Sequence, residues 1–190
     1  CSTRGVTGGA RRAGGPGAVG PRTPRATTFQ HAADGERIAG YEEQREGNPT
    51  QDRLETALSA LEGGAAALAF ASGMAATTAL LESLPNGSRV LIPDDCYTGL
   101  RVFAREFLPE RGIVSTVIDM ADLDAVRAAC SEGIAMIWAE TPSNPRLKIC
   151  DLAALAQIAR NAGGLLACDN PFATPILHQP LALGVVVVLP

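Results

Sequence analysis

The chain has 190 residues, enough for one domain with a sizeable core, and 46 % of them are hydrophobic while only 4 % are aromatic. Its formal net charge of -4, with 16 basic residues scattered along the chain, excludes a general attraction to nucleic acid or to an anionic membrane. No segment approaches the ~20 apolar residues of a membrane span. The five cysteines are odd in number and lack metal-site spacing, so a reducing, cytoplasmic compartment is expected.

Residues 1–50 are rich in Gly, Pro, Arg and Thr. They read either as disordered or as an arm that orders against a neighbouring subunit. Arg4, Arg11, Arg12, Arg22 and Arg25 are separated by Gly and Pro and read as surface, not as a binding patch. From Pro49 the texture changes. Pro49 and Thr50 start a helix, and Asp52 places negative charge in its first turn. Leu54, Leu58 and Leu61 recur at helical spacing, and Gly63-Gly64 ends the helix. Residues 65–70 (AAALAF) read as a short strand. Ser72-Gly73-Met74 opens a helix over 75–84, closed by Pro85-Asn86-Gly87. Strands are then predicted at 89–93, 113–118, 134–139, 165–168 and 185–189. Helices at 97–107, 122–129 and 151–162 separate them, with Asp122 and Asp151 as caps.

The strands are short and apolar on both faces. That pattern predicts an α/β fold with a mainly parallel sheet and helices on both faces. Ligands of such sheets lie beyond the carboxyl ends of the strands. The polar residues there are Ser72-Gly73, Asp94-Asp95, Glu140-Thr141 and Asp169-Asn170.

Ser72, Gly73 and Met74 stand at a helix start, which either makes a plain tight turn or presents N–H groups to an anion. Neither GxGxxG nor a Walker-type GKS is present, against a dinucleotide or nucleoside-triphosphate site. Tyr97 either packs half-buried or stacks on a flat cofactor. Asp169 either caps the next segment or pairs with a protonated ring nitrogen, which would make the ring an electron sink. Asn144 is either a turn residue or an amide that reaches a ring substituent. His31 and His178, the 2 histidines, form no metal set or hydrolase triad, and His178 reads as structural or surface. Cys168 reads as a small buried hydrophobe.

The segments GNPT (47–50), LEGGAAALAFASGMAA (61–76), DDCYTG (94–99), ETPSNPRLKICDL (140–152) and CDNPFATPILHQPLALG (168–184) come in order over nearly the whole chain. Together they resemble the Cys/Met-metabolism family of pyridoxal-phosphate enzymes, the fold type I group of cystathionine synthases and lyases. The resemblance implies a 1–50 arm contacting a neighbouring subunit. It also implies that 51–190 is the N-terminal part of a pyridoxal 5'-phosphate-binding large domain, with a C-terminal domain outside these residues. By position it gives Ser72, Gly73 and Met74 to the cofactor phosphate, and Tyr97 to ring stacking and proton transfer. Asn144 goes to the ring's 3-hydroxyl side, Asp169 to the ring nitrogen, and Arg45 to the phosphate in the neighbouring subunit. A homotetramer of tight dimers with shared sites and a small amino-acid substrate are implied as well.

Four departures stand out, one of them Gly184-Val185-Val186 in place of the usual Gly-Ala-Asp. Glu43 occupies a position that is usually tyrosine, Pro171 replaces threonine in the DNTFATP segment, and Thr98-Gly99-Leu100 follows Tyr97 where Gly-Gly-Thr or Gly-Cys-Thr is common. The one lysine, Lys148, reads as surface or structural. The family's imine-forming lysine is expected a few residues after the last strand, just past Pro190, so the sequence is expected to be a fragment of an active enzyme. The implied reaction is elimination or replacement at the γ-carbon of a sulfur amino acid, with a γ-lyase favoured over a cystathionine gamma-synthase or O-acylhomoserine sulfhydrylase. A non-catalytic subunit of the same fold is the alternative from another class.

Overall fold

A computed structural model describes residues 20–190. Cys1 and the early arginines Arg4, Arg11 and Arg12 of the predicted arm lie outside the described residues. The chain divides into two compact units that meet in sequence at Ala69 and Phe70.

In the first unit, isolated bridges pair Thr28 with Glu43 and His31 with Arg37. The rings of Phe29 and Tyr41 lie 5.2 Å apart in a tilted pair. Helix α1 spans Pro49–Glu62. It starts where predicted because the Asn48 side chain accepts the N–H groups of Thr50 and Gln51, both at 3.0 Å, and Pro49 needs no acceptor. It stops at Gly63, whose φ of 71° is left-handed. Residues 65–70 form no strand, contrary to expectation. Alanine has little preference for extended pairing, and the Ala69 N–H donates to the Glu55 carboxylate at 2.8 Å, not to a neighbouring strand.

The second unit carries the sheet. Helix α2 covers Gly73–Glu82, β1 Arg89–Pro93, α3 Thr98–Glu106, β2 Val114–Ile118 and α4 Leu123–Ala129. Then follow β3 Met136–Glu140, α5 Leu152–Asn161, β4 Leu165–Asp169, α6 Thr174–Leu177 and β5 Val187–Leu189. The predicted caps hold: Asp122 accepts the Ala125 N–H and Asp151 the Ala154 N–H, each at 3.0 Å.

The strands form one parallel five-stranded sheet in the order β2-β1-β3-β4-β5. Alternate residues feed opposite faces. Leu91, Ile137, Leu166 and Cys168 pack with Val126, Leu152 and Leu155 on one side. Val90, Ile92, Met136, Trp138 and Ala167 pack with Leu81, Leu100 and Phe103 on the other. Two-sided burial explains why β1, β3 and β4 read as continuous apolar runs. β2 differs from that expectation: it is an edge strand, and Val114 and Val117 are exposed. No described helix is long and apolar enough to cross a membrane.

The chain leaves β1 for β2 on one side and returns to β3 on the other, so the strand order reverses between β1 and β3. Crevices for ligands open at such reversals, beyond the carboxyl ends of the strands. The central position of Leu91, fully buried in β1, makes Leu91→Ala a severe change. It should cost about 2–5 kcal/mol of unfolding free energy. Asp151→Ala, which removes only a cap, should cost about 1 kcal/mol. Urea unfolding of the two variants checks the ranking.

Candidate active site

The residues just beyond β1, β3 and β4 converge in the second unit. Glu140 closes β3 and is buried, at 5 % exposure. One oxygen of its carboxylate accepts the Tyr97 N–H at 2.8 Å, and the other accepts the Asn144 N–H at 2.8 Å. Its strand neighbour in register is Asp169, the last residue of β4. Tyr97 precedes α3, and its side chain lies against Gly99. A Cβ on Gly99 would fall 2.5 Å from the Tyr97 ring and 2.8 Å from the Met74 sulfur. Tyr97, Met74, Asn144, Glu140 and Asp169 therefore belong to one neighbourhood.

Ser72 caps α2 by accepting the Ala75 N–H at 3.1 Å. The N–H groups of Gly73 and Met74 belong to the first turn, which has no acceptor within the helix. A side chain at Gly73 would meet nothing within 4 Å, and its φ is not left-handed, so neither packing nor backbone strain calls for glycine there. Open backbone at a helix start is what an anion needs.

The acidic groups differ in their surroundings. Burial pushes the Asp169 carboxyl up to about 6. No hydrogen bond or ion pair to that carboxylate forms among the described residues. Burial also pushes Glu140 up to about 7, with the nearby charges of Asp169 and Asp95 adding to the rise and the Tyr97 and Asn144 N–H groups opposing it. Asp95, also buried, accepts the Ser143 hydroxyl and the Arg146 N–H at 3.1 Å. Ser143 Oγ in turn accepts the Lys148 N–H at 2.9 Å. The loop that carries Asn144 is thus tied down on both flanks.

Lys148 is structural, one of the two roles expected for it. Its ammonium contacts Asp94 at 3.0 Å and Asp119 at 2.9 Å, fastening the ends of β1 and β2 to the loop after β3. These hydrogen bonds raise the lysine above its usual value, so it holds its proton in this network. Burial pushes the Cys96 thiol up to about 12, which removes it as a nucleophile. Asn170, fully buried, donates its amide to the Thr141 carbonyl and stands 3.1 Å from His178 Nδ1. His178 is thereby part of the support under β4. Cys168 is fully buried, as read from its apolar run.

Arg45 belongs to the first unit, where its exposed guanidinium pairs with Glu43. Sequence reasoning assigned no role to Glu140, Asp95 or Gly99. The signal for Glu140 was its place as the one charge closing an apolar strand, MIWAE. Gly99 shows its role only once the ring beside it is placed.

Comparison with known proteins agrees with the fold. Residues 2–190 match the family described as Cys/Met metabolism PLP-dependent enzyme. The chain is 41 % identical over 189 residues to the cystathionine gamma-synthase of Mycobacterium tuberculosis, covering 99 % of this chain and 49 % of that protein. It is 42 % identical over 176 residues to the cystathionine beta-lyase of Bacillus subtilis, covering 93 % and 45 %. The crystal structure of cystathionine gamma-lyase from Lactobacillus plantarum complexed with L-serine superposes with a TM-score of 0.90 at 36 % identity, over 98 % of this chain and 48 % of that one. The chain thus spans about half the length of the curated relatives it matches. It belongs to the Cys/Met metabolism PLP-dependent enzyme family, as a fold type I chain whose cofactor is pyridoxal 5'-phosphate.

Proposed function

We propose that the protein carries out elimination or replacement at the γ-carbon of a sulfur amino acid, with elimination by a γ-lyase as the first reading. The observation that carries it is the Asp169 carboxylate, partly buried and without a hydrogen-bond or ion-pair partner among the described residues, at the carboxyl end of β4. A protonated pyridine nitrogen is the cationic donor that such a carboxylate fits. The bare Gly99 lets the Tyr97 ring and the Met74 sulfur close up against the start of α3, which fixes where that ring lies. When bound, pyridoxal phosphate supplies an electron sink for negative charge developing at the substrate's α-carbon.

The chain's own residues divide the remaining tasks. Ser72, Gly73 and Met74 hold the phosphate at the start of α2. Tyr97 would stack on the ring, exclude water from it, and offer its hydroxyl to accept or return a proton at the substrate. Asn144 would hold the 3-hydroxyl side of the ring. Asp169 keeps the ring nitrogen protonated by remaining ionised beside it. Arg45 reaches the phosphate of a second copy in a homo-oligomer with shared sites, and Glu43 competes for it. The pairing of Glu43 with Arg45 also favours one second reading, a related subunit with weakened cofactor binding.

Full-length protein given cystathionine or methionine alone should release a keto acid and ammonia. Product formed only after a thiol acceptor is added would instead assign replacement chemistry. Asp169→Asn should weaken cofactor binding ~100-fold or more, because it strands a buried cation. In the cofactor-free protein the same substitution has a pH signature. Burial raises the folded-state value of Asp169 from 3.8 to about 6, so its ionisation costs stability progressively as pH rises from 3.8 to about 6. Asp169→Asn should therefore gain stability relative to the wild type across that window and not below it, as read by urea unfolding at a series of pH values. Glu43→Gln, which frees Arg45, should tighten cofactor binding by a factor of up to about 5, the strength of an exposed ion pair. Cofactor titration measures it.

A further inference from the structure

We propose that Glu140 is the positioning residue of the site, setting the aromatic cover and the amide loop together through one carboxylate. The proposal rests on the reading of Tyr97 and Asn144 as residues that hold the cofactor ring. The geometry is specific. Glu140 Oε2 accepts from the Tyr97 N–H and Oε1 from the Asn144 N–H, both at 2.8 Å. Those N–H groups belong to different segments, the approach to α3 and the loop after β3. They meet where the strand order reverses between β1 and β3. In register beside Glu140 stands Asp169.

The arrangement demands a carboxylate. The two N–H donors meet different oxygens of the same side chain, so both of those atoms must be acceptors. Glutamine offers one oxygen and would turn its amide NH2 toward the other donor. Among the described residues no cation forms an ion pair with Glu140, so charge balance does not explain its burial. Both oxygens are spent on backbone that carries Tyr97 and Asn144. Glu140 therefore acts on the ring through those residues and not by contact.

The test uses the full-length protein with added pyridoxal 5'-phosphate, comparing wild type with Glu140→Gln. The readouts are the cofactor dissociation constant and the visible circular dichroism of the bound cofactor at saturation. A loosened Tyr97 or Asn144 should weaken cofactor binding about tenfold, the cost of one unsatisfied buried N–H. It should also change the dichroism at full occupancy, which a general loss of stability would not do. Wild-type affinity and wild-type dichroism in Glu140→Gln would overturn the proposal while leaving the site assignment intact. A wild-type protein that takes up no cofactor would overturn both. Where Glu140→Gln does not fold, hydrogen exchange in the wild type decides. Slow exchange of the Tyr97 and Asn144 amides supports the bridge, and exchange at the rate of open loops overturns it.

Discussion

Two-sided burial of the central strands is the constraint on which the rest of the second unit depends. β1, β3 and β4 have helices against both faces, so their side chains must be apolar in both directions. Polar groups are admitted only at the strand ends. The carboxyl ends of β3 and β4 hold Glu140 and Asp169, and the turn after β1 holds Asp94 and Asp95. The chemistry of the chain is concentrated there because nowhere else in the sheet could accommodate it.

Concentrating carboxylates creates a repulsion that the structure offsets in different ways. Asp94 and Asp119 share the Lys148 ammonium. Asp95 is satisfied by a hydroxyl and an N–H from the 143–146 segment. Glu140 is satisfied by two backbone N–H groups. Asp169 alone among these keeps its carboxylate free of a protein partner, and that contrast singles it out more clearly than its position does.

The sequence made the architecture readable because local and global signals agree. Asp122 and Asp151 stand as caps before apolar segments, and each caps the helix expected of it, while the helix starts read at Pro49 and Ser72-Gly73 prove to be capped by Asn48 and Ser72. The apolar blocks RVLIP and LLAC gave the strand positions to within a residue. The AAALAF segment failed because hydrophobicity was its only strand signal, and hydrophobicity does not provide a pairing partner. Side-chain roles were less legible. Asp169 and Tyr97 follow strands directly and could be picked out by place. The link from Glu140 to Tyr97 joins residues 43 apart in sequence, and nothing in either segment announces it. Gly99 is silent for a different reason, since the meaning of an absent side chain depends on what lies beside it.

Trp138 carries a consequence of a different kind. It is the only tryptophan of these 190 residues, fully buried in β3, and its indole N–H has no hydrogen-bond partner among the described residues. An indole in such dry surroundings emits at short wavelength, and its emission moves to the red when water enters. It sits in the same strand as Glu140, on the face that packs against the helix Tyr97 introduces. The chain thus contains a single indole fluorophore, close to its candidate site. Its light reports the integrity of that part of the core without any added label.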